Sequence, residues 1–78
     1  HYLVIWSIQD VISLNQAYSV EKYAPRCMLF GSDGGNEGYG FDYRIKSPII
    51  VNLPFIDMDW SNAITKGNDF LDFLQSLL

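Results

Sequence analysis

The chain predicts an α+β fold: one antiparallel sheet of about four strands with flanking helices, in the order β-α-β-β-β-α. Three observations carry this prediction. Short apolar runs rich in β-branched and aromatic residues recur with turn residues between them. Gly38–Tyr43 alternates, with Tyr39, Phe41 and Tyr43 on one face and Gly38, Gly40 and Asp42 on the other. At the C-terminus, Phe70, Phe73, Leu74, Leu77 and Leu78 recur at helical spacing. The links between the central runs are hairpin-short, so the pairing is antiparallel, with the helices on one side.

The first strand is Tyr2–Trp6, a run of aromatic, leucine and β-branched residues that reads as buried. Ser7 then caps a helix, with Asp10 reaching back, and Ile8, Val11 and Ile12 form its apolar face. This helix fades near Gln16, and the stretch from Ala17 to Arg26 is a connection in which Pro25 blocks helical continuation. Cys27–Ser32 and Gly38–Tyr43 are strands around the glycine-dense turn Asp33-Gly34-Gly35-Asn36-Glu37. A second turn, Arg44 to Pro48, leads to a strand over Ile49–Leu53, whose ladder Pro54 ends. Asp57-Met58-Asp59-Trp60 is an acidic turn or the start of a short helix. Asn68 caps the last helix, where Asp69 and Asp72 favour the positive end of its dipole.

With 78 residues the chain is one domain, 1–78. A chain of this size buries only about 60% of the surface its unfolded form exposes, so its core is marginal. The single cysteine, Cys27, excludes an internal disulfide, and no second soft ligand suggests a structural zinc. A hydrophobic fraction of 49% excludes intrinsic disorder. No run approaches a membrane span, no basic flank and apolar core form a signal peptide, and no Asn-x-Ser/Thr site occurs. With the lone thiol, these features point to the cytoplasm. The chain opens directly on a strand, so a preceding N-terminal segment is expected to be missing.

The net charge is −4, and all of it lies after Ser32, where Arg44, Lys46 and Lys66 face seven acids. Nucleic acids recruit Lys and Arg, so this balance disfavours them and favours a basic protein partner or plain solubility. The glycine-rich segment Gly31–Gly40 lacks the Lys-Ser/Thr and following helix of a phosphate loop. Asp33, Asn36 and Glu37 lack calcium-loop spacing, so no metal or cofactor is expected. His1 is the only histidine and sits at the chain end, and nothing selects an acid–base pair among the carboxylates. No catalytic group is therefore assigned. Cys27 reads as a small packed hydrophobe, and Tyr39, Phe41 and Tyr43 as core. Trp60, beside Asp59, is the aromatic best suited to anchor a protein contact.

Several segments together carry a family resemblance. They are Tyr2–Ser7, Asn15 with Tyr18, Met28-Leu29-Phe30 followed by Gly31–Asp42, Val51–Ile56, and Phe70-Leu71-Asp72-Phe73-Leu74. In order and spacing they resemble the SUKH superfamily in its Smi/Knr branch. Two departures are visible: the usual N-terminal helical segment is absent, and Asn36 stands where a third glycine is common. The chain thus resembles the C-terminal part of such a domain, or a shortened member. The resemblance implies an α+β fold and a non-catalytic role. Bacterial members are immunity proteins that bind and neutralise toxin domains, many of them nucleases. Fungal members are regulatory scaffolds of cell-wall synthesis and signalling. The expected contact surface is Asp33, Glu37, Asp57, Asp59 and Trp60, facing a basic toxin domain. The sequence leaves open whether the chain also forms a homodimer, which would cover apolar surface left by the missing segment.

Overall fold

The protein is described here by a computed structural model covering residues 3–78. Tyr2, expected to open the first strand, lies outside the described residues. The elements are β1 (Val4–Ile5), α1 (Ile8–Ala17), α2 (Val20–Tyr23), β2 (Cys27–Ser32), β3 (Glu37–Asp42), β4 (Ile49–Pro54), a 3-10 turn (Trp60–Asn62), β5 (Ile64–Gly67) and α3 (Phe70–Ser76). The class is α+β with a single antiparallel sheet, and the strands lie side by side in chain order, β1-β2-β3-β4-β5.

The sheet has five strands rather than four. The unforeseen one, β5, pairs with β4 through Ile50↔Gly67, Val51↔Thr65 and Asn52↔Ile64. Its residues 64 to 66 are exposed, so no apolar alternation marks it; pairing to a neighbour makes it a strand. A short helix, α2, occupies part of the expected connection and buries Val20. β3 ends at Asp42, so Tyr43 falls outside the strand and is exposed. β1 is a short edge strand on β2, and its Ile5 is exposed rather than buried.

The helices lie on both faces of the sheet, not on one. Successive residues of a strand point to opposite faces. In β4, Val51 and Leu53 pack with Leu29 of β2, Val20 and Ala24 of the α2 region, and Met58. Ile50 packs on the other face with Phe30, Tyr39 and Phe73 of α3. Phe73, Leu29, Ile50, Leu53, Val20 and Val51 are fully buried, and each such side chain contributes about 1.5–3 kcal/mol by leaving water. The close seat of α3 requires a glycine: a Cβ on Gly67 would lie 2.7 Å from the Phe73 backbone nitrogen.

Local capping sets the helix ends. Ser7 accepts a hydrogen bond from the Asp10 N–H at 3.1 Å, as its sequence spacing predicts. The cap of α3 is Asp69, not Asn68: Asp69 Oδ1 accepts from the Asp72 N–H at 2.8 Å. Asp72 in turn accepts at 2.9 Å from the backbone N–H of Asn68, the residue before the cap.

The rotation of α1 also differs from its apolar pattern. Ile8 and Ile12, expected on the buried face, are 77% and 58% exposed. Asn15 decides this. Its side-chain amide donates to the Leu29 carbonyl at 2.8 Å, and its Oδ1 accepts from the Leu29 N–H at 2.9 Å. The amide thus replaces a neighbouring strand along β2 where β1 no longer pairs. Among the described residues, no helix is long and apolar enough to cross a membrane.

Candidate functional site

The segment after β4 folds over the face of the sheet that carries α1 and α2. The Phe55 N–H donates to the Asn36 carbonyl at 2.9 Å, so the β2–β3 turn and this segment are joined. The Phe55 ring lies over Gly38, where a Cβ would come within 3.0 Å of it. The same ring stacks on Tyr18, with centroids 4.5 Å apart and planes at 18°. Met58 is buried in the core beneath. On either side of Met58, Asp57 and Asp59 are exposed.

Asp57 adopts a left-handed backbone, with φ 59°. Asn62 holds this bend by donating from Nδ2 to the Asp57 carbonyl at 2.9 Å. Asp59 caps the 3-10 turn, accepting from the Ser61 N–H at 2.8 Å. Hydrogen bonding by Ser61, above all from its backbone, holds the Asp59 carboxyl below the usual carboxylate range. An open cleft of about 630 Å³ results between the α1–α2 region and this segment. Tyr18, Tyr23 and Phe55 supply its aromatic wall, and Asp57, Asp59 and Asn62 its polar wall.

Trp60 borders this region but is itself engaged. Its indole N–H donates to the Pro25 carbonyl at 2.9 Å, and the Arg44 guanidinium lies 3.6 Å above its ring centroid. Arg44 in turn binds buried Asp42 through both carboxylate oxygens, at 3.0 and 2.9 Å. These hydrogen bonds, led by those of the side chain, hold the Asp42 carboxyl below its ordinary value. Trp60 is therefore half-buried by contacts within the chain, as is Trp6.

Of the other residues assigned to contact, Asp33 and Glu37 lie at the β2–β3 turn. Asp33 Oδ1 accepts from the backbone of Gly35 at 2.8 Å and of Glu37 at 3.3 Å, which shapes the turn. Glu37 pairs with Pro54 across the ladder, beside the start of the acidic segment. Asp57 and Asp59 share the cleft, whereas Asp33, Glu37 and Trp60 do not line it.

Tyr18, Tyr23 and Phe55 were not singled out for contact by sequence reasoning. Tyr18 and Tyr23 stand in and beside α2, a helix that leaves no periodic signal in so short a stretch. A second, apolar groove of about 560 Å³ runs between α1 and β2, lined by Val11, Ile12, Val20, Cys27 and Met28. Burial, with the Asp42 carboxylate nearby, pushes the Cys27 thiol up to about 12, so it is a neutral packed group at neutral pH. No protein-family model matches the chain, and no curated protein does either.

Proposed function

We propose that this chain is a non-catalytic protein-binding module resembling the SUKH immunity proteins, which neutralises a basic, nuclease-type toxin domain in the cytoplasm. It binds without a cofactor, through Asp33, Glu37, Asp57 and Asp59, with Trp60 at the margin. One observation supports this most: the turn bearing Asp33 and Glu37 is tied, through the Phe55–Asn36 hydrogen bond, to the segment bearing Asp57 and Asp59. Arg44, whose guanidinium lies over Trp60 of this segment, is already paired with Asp42. An acidic surface of this kind steers a basic partner and covers its phosphate-binding site. The second reading is a Smi/Knr-like regulatory scaffold. The apolar groove beside exposed Ile12 and Met28 favours it, because such a surface docks independently of salt.

The test is capture from the source lysate with the tagged chain at low and moderate salt. The expected result is one basic polypeptide in near-equal amount, released as salt rises, whose nuclease activity the chain inhibits. The variant Glu37→Lys/Asp59→Asn, in which Asn keeps the cap, should weaken that complex about tenfold or more, mainly through the association rate. A complex indifferent to both salt and these substitutions would overturn the immunity reading. If its partner were a larger signalling or biosynthetic protein, the scaffold reading would take its place.

A further inference from the structure

We propose that the cleft between the α1–α2 region and residues 55–62 is a receptor for a single arginine side chain presented by the partner. This rests on the reading of the chain as a binding module for a basic protein. The cleft combines the two surfaces a guanidinium recognises. Tyr18, Tyr23 and Phe55 give it aromatic wall, and Asp57 and Asp59 give it two carboxylates. A guanidinium stacks its plane on a ring while its edge donates to carboxylate oxygens; the compact ammonium of lysine cannot do both.

The molecule makes this pairing once within itself. Arg44 lies 3.6 Å over the Trp60 ring while both its edge nitrogens bind Asp42. Lys22, the residue before Tyr23, holds its ammonium 5.3 Å from the Tyr23 ring centroid without lining the cleft. The carboxylate of Asp57 makes no hydrogen bond or ion pair with the described residues, while its backbone is pinned by Asn62. It is thus presented on a fixed bend without an ion-pair partner among the described residues. The volume of about 630 Å³ exceeds what one arginine side chain needs, which leaves room for the backbone that carries it.

The test is titration of the intact chain with N-acetyl-arginine methylamide, followed by amide and aromatic NMR shifts. The neutral isostere N-acetyl-citrulline methylamide is the control. Saturable shifts at Tyr18, Tyr23, Asp57 and Asn62 are expected with the arginine probe only, with a Kd on the order of 1 mM. Asp57→Asn should weaken binding about fivefold or more without unfolding the chain, since Asn tolerates the left-handed bend. Tyr23→Leu, at an exposed position, should weaken it to a similar degree by removing a ring face. Equal shifts with the citrulline probe, shifts confined to other residues, or binding unchanged in both variants would overturn the proposal. Such a failure is distinct from failure of the wider reading. The fragment reports on the cleft alone, whereas salt-sensitive capture and the single change Glu37→Lys, at a residue that does not line the cleft, report on the acidic surface whether or not the cleft is used.

Discussion

Asp42 is 3% exposed on the sheet, yet it is a carboxylate with an opposite charge within reach. Arg44 supplies three hydrogen bonds to it, two from the side chain and one from the backbone N–H at 2.9 Å. The spacing of two residues across the start of the β3–β4 turn makes this local clamp possible. The folded-state value of Asp42 is lowered, so its contribution is complete above the unfolded value of about 4 and disappears as the pH falls through the folded value. Asp42→Asn should therefore cost about 1–2 kcal/mol at neutral pH, and the gap from the parent should close in acid. Urea unfolding of both proteins between about pH 6 and pH 3 measures this; a gap that stayed constant would show that the charge of Asp42 is immaterial. Sequence alternation placed Asp42 on the face opposite Phe41, and the structure agrees. Its burial arises because the same face carries Trp60, which the chain brings back from a distant segment to cover Arg44.

At the scale of elements, the docking of α1 turns on a polar contact. The helix buries none of its residues fully, so apolar area alone holds it weakly. Asn15 joins it to β2 as both donor and acceptor, and its amide also reaches the Val11 carbonyl at 2.6 Å. Asn15→Asp keeps an acceptor for the Leu29 N–H but sets a second carboxylate oxygen against two carbonyls. The expected loss is about 2–3 kcal/mol, nearly as large as for Asn15→Leu. Denaturant unfolding of the two variants checks this; an Asp variant as stable as the parent would show that the donor half of the clamp is dispensable. Helical periodicity identified α1 and its Ser7 cap. It ranked Ile8 and Ile12 as buried because a pattern scores apolar residues, and it gave no weight to an amide that could stand in for a strand.

Over the whole molecule, one sheet serves two cores. Trp6 and Trp60 pack on the face covered by the α1–α2 region, whereas Phe73 closes the opposite face under α3. Neighbouring residues of β4, Ile50 and Val51, belong to different cores, so loss of either core strips one side of the same strand. The two should melt together. Phe73→Leu is expected to cost about 1–2 kcal/mol and to lower Tm by roughly 5–15 °C in a domain of this length. Tryptophan fluorescence, reporting on the far face, should shift in step with far-ultraviolet circular dichroism. A fluorescence midpoint that stayed at the parent value would show two independent units.

Turn chemistry and periodicity were sufficient for α1, the hairpin of β2 and β3, β4 and α3, and for the antiparallel sense of the sheet. Gly34, with φ 85°, and the carboxylate of Asp33 shape the hairpin turn through local geometry that a sequence records directly. Within the candidate site, Asp57 and Asp59 were legible as charge. Tertiary structure alone decided the rest: the strand β5, the helix α2, the division of helices between two faces, and the meeting of Tyr18, Tyr23 and Phe55 with those carboxylates. The reason is physical. Periodicity states which side of an element is apolar, but not which face of a sheet that side will cover. A strand as short as β5 and a helix as short as α2 draw their stability from the neighbours they pair with and pack against, and those neighbours are distant in the chain.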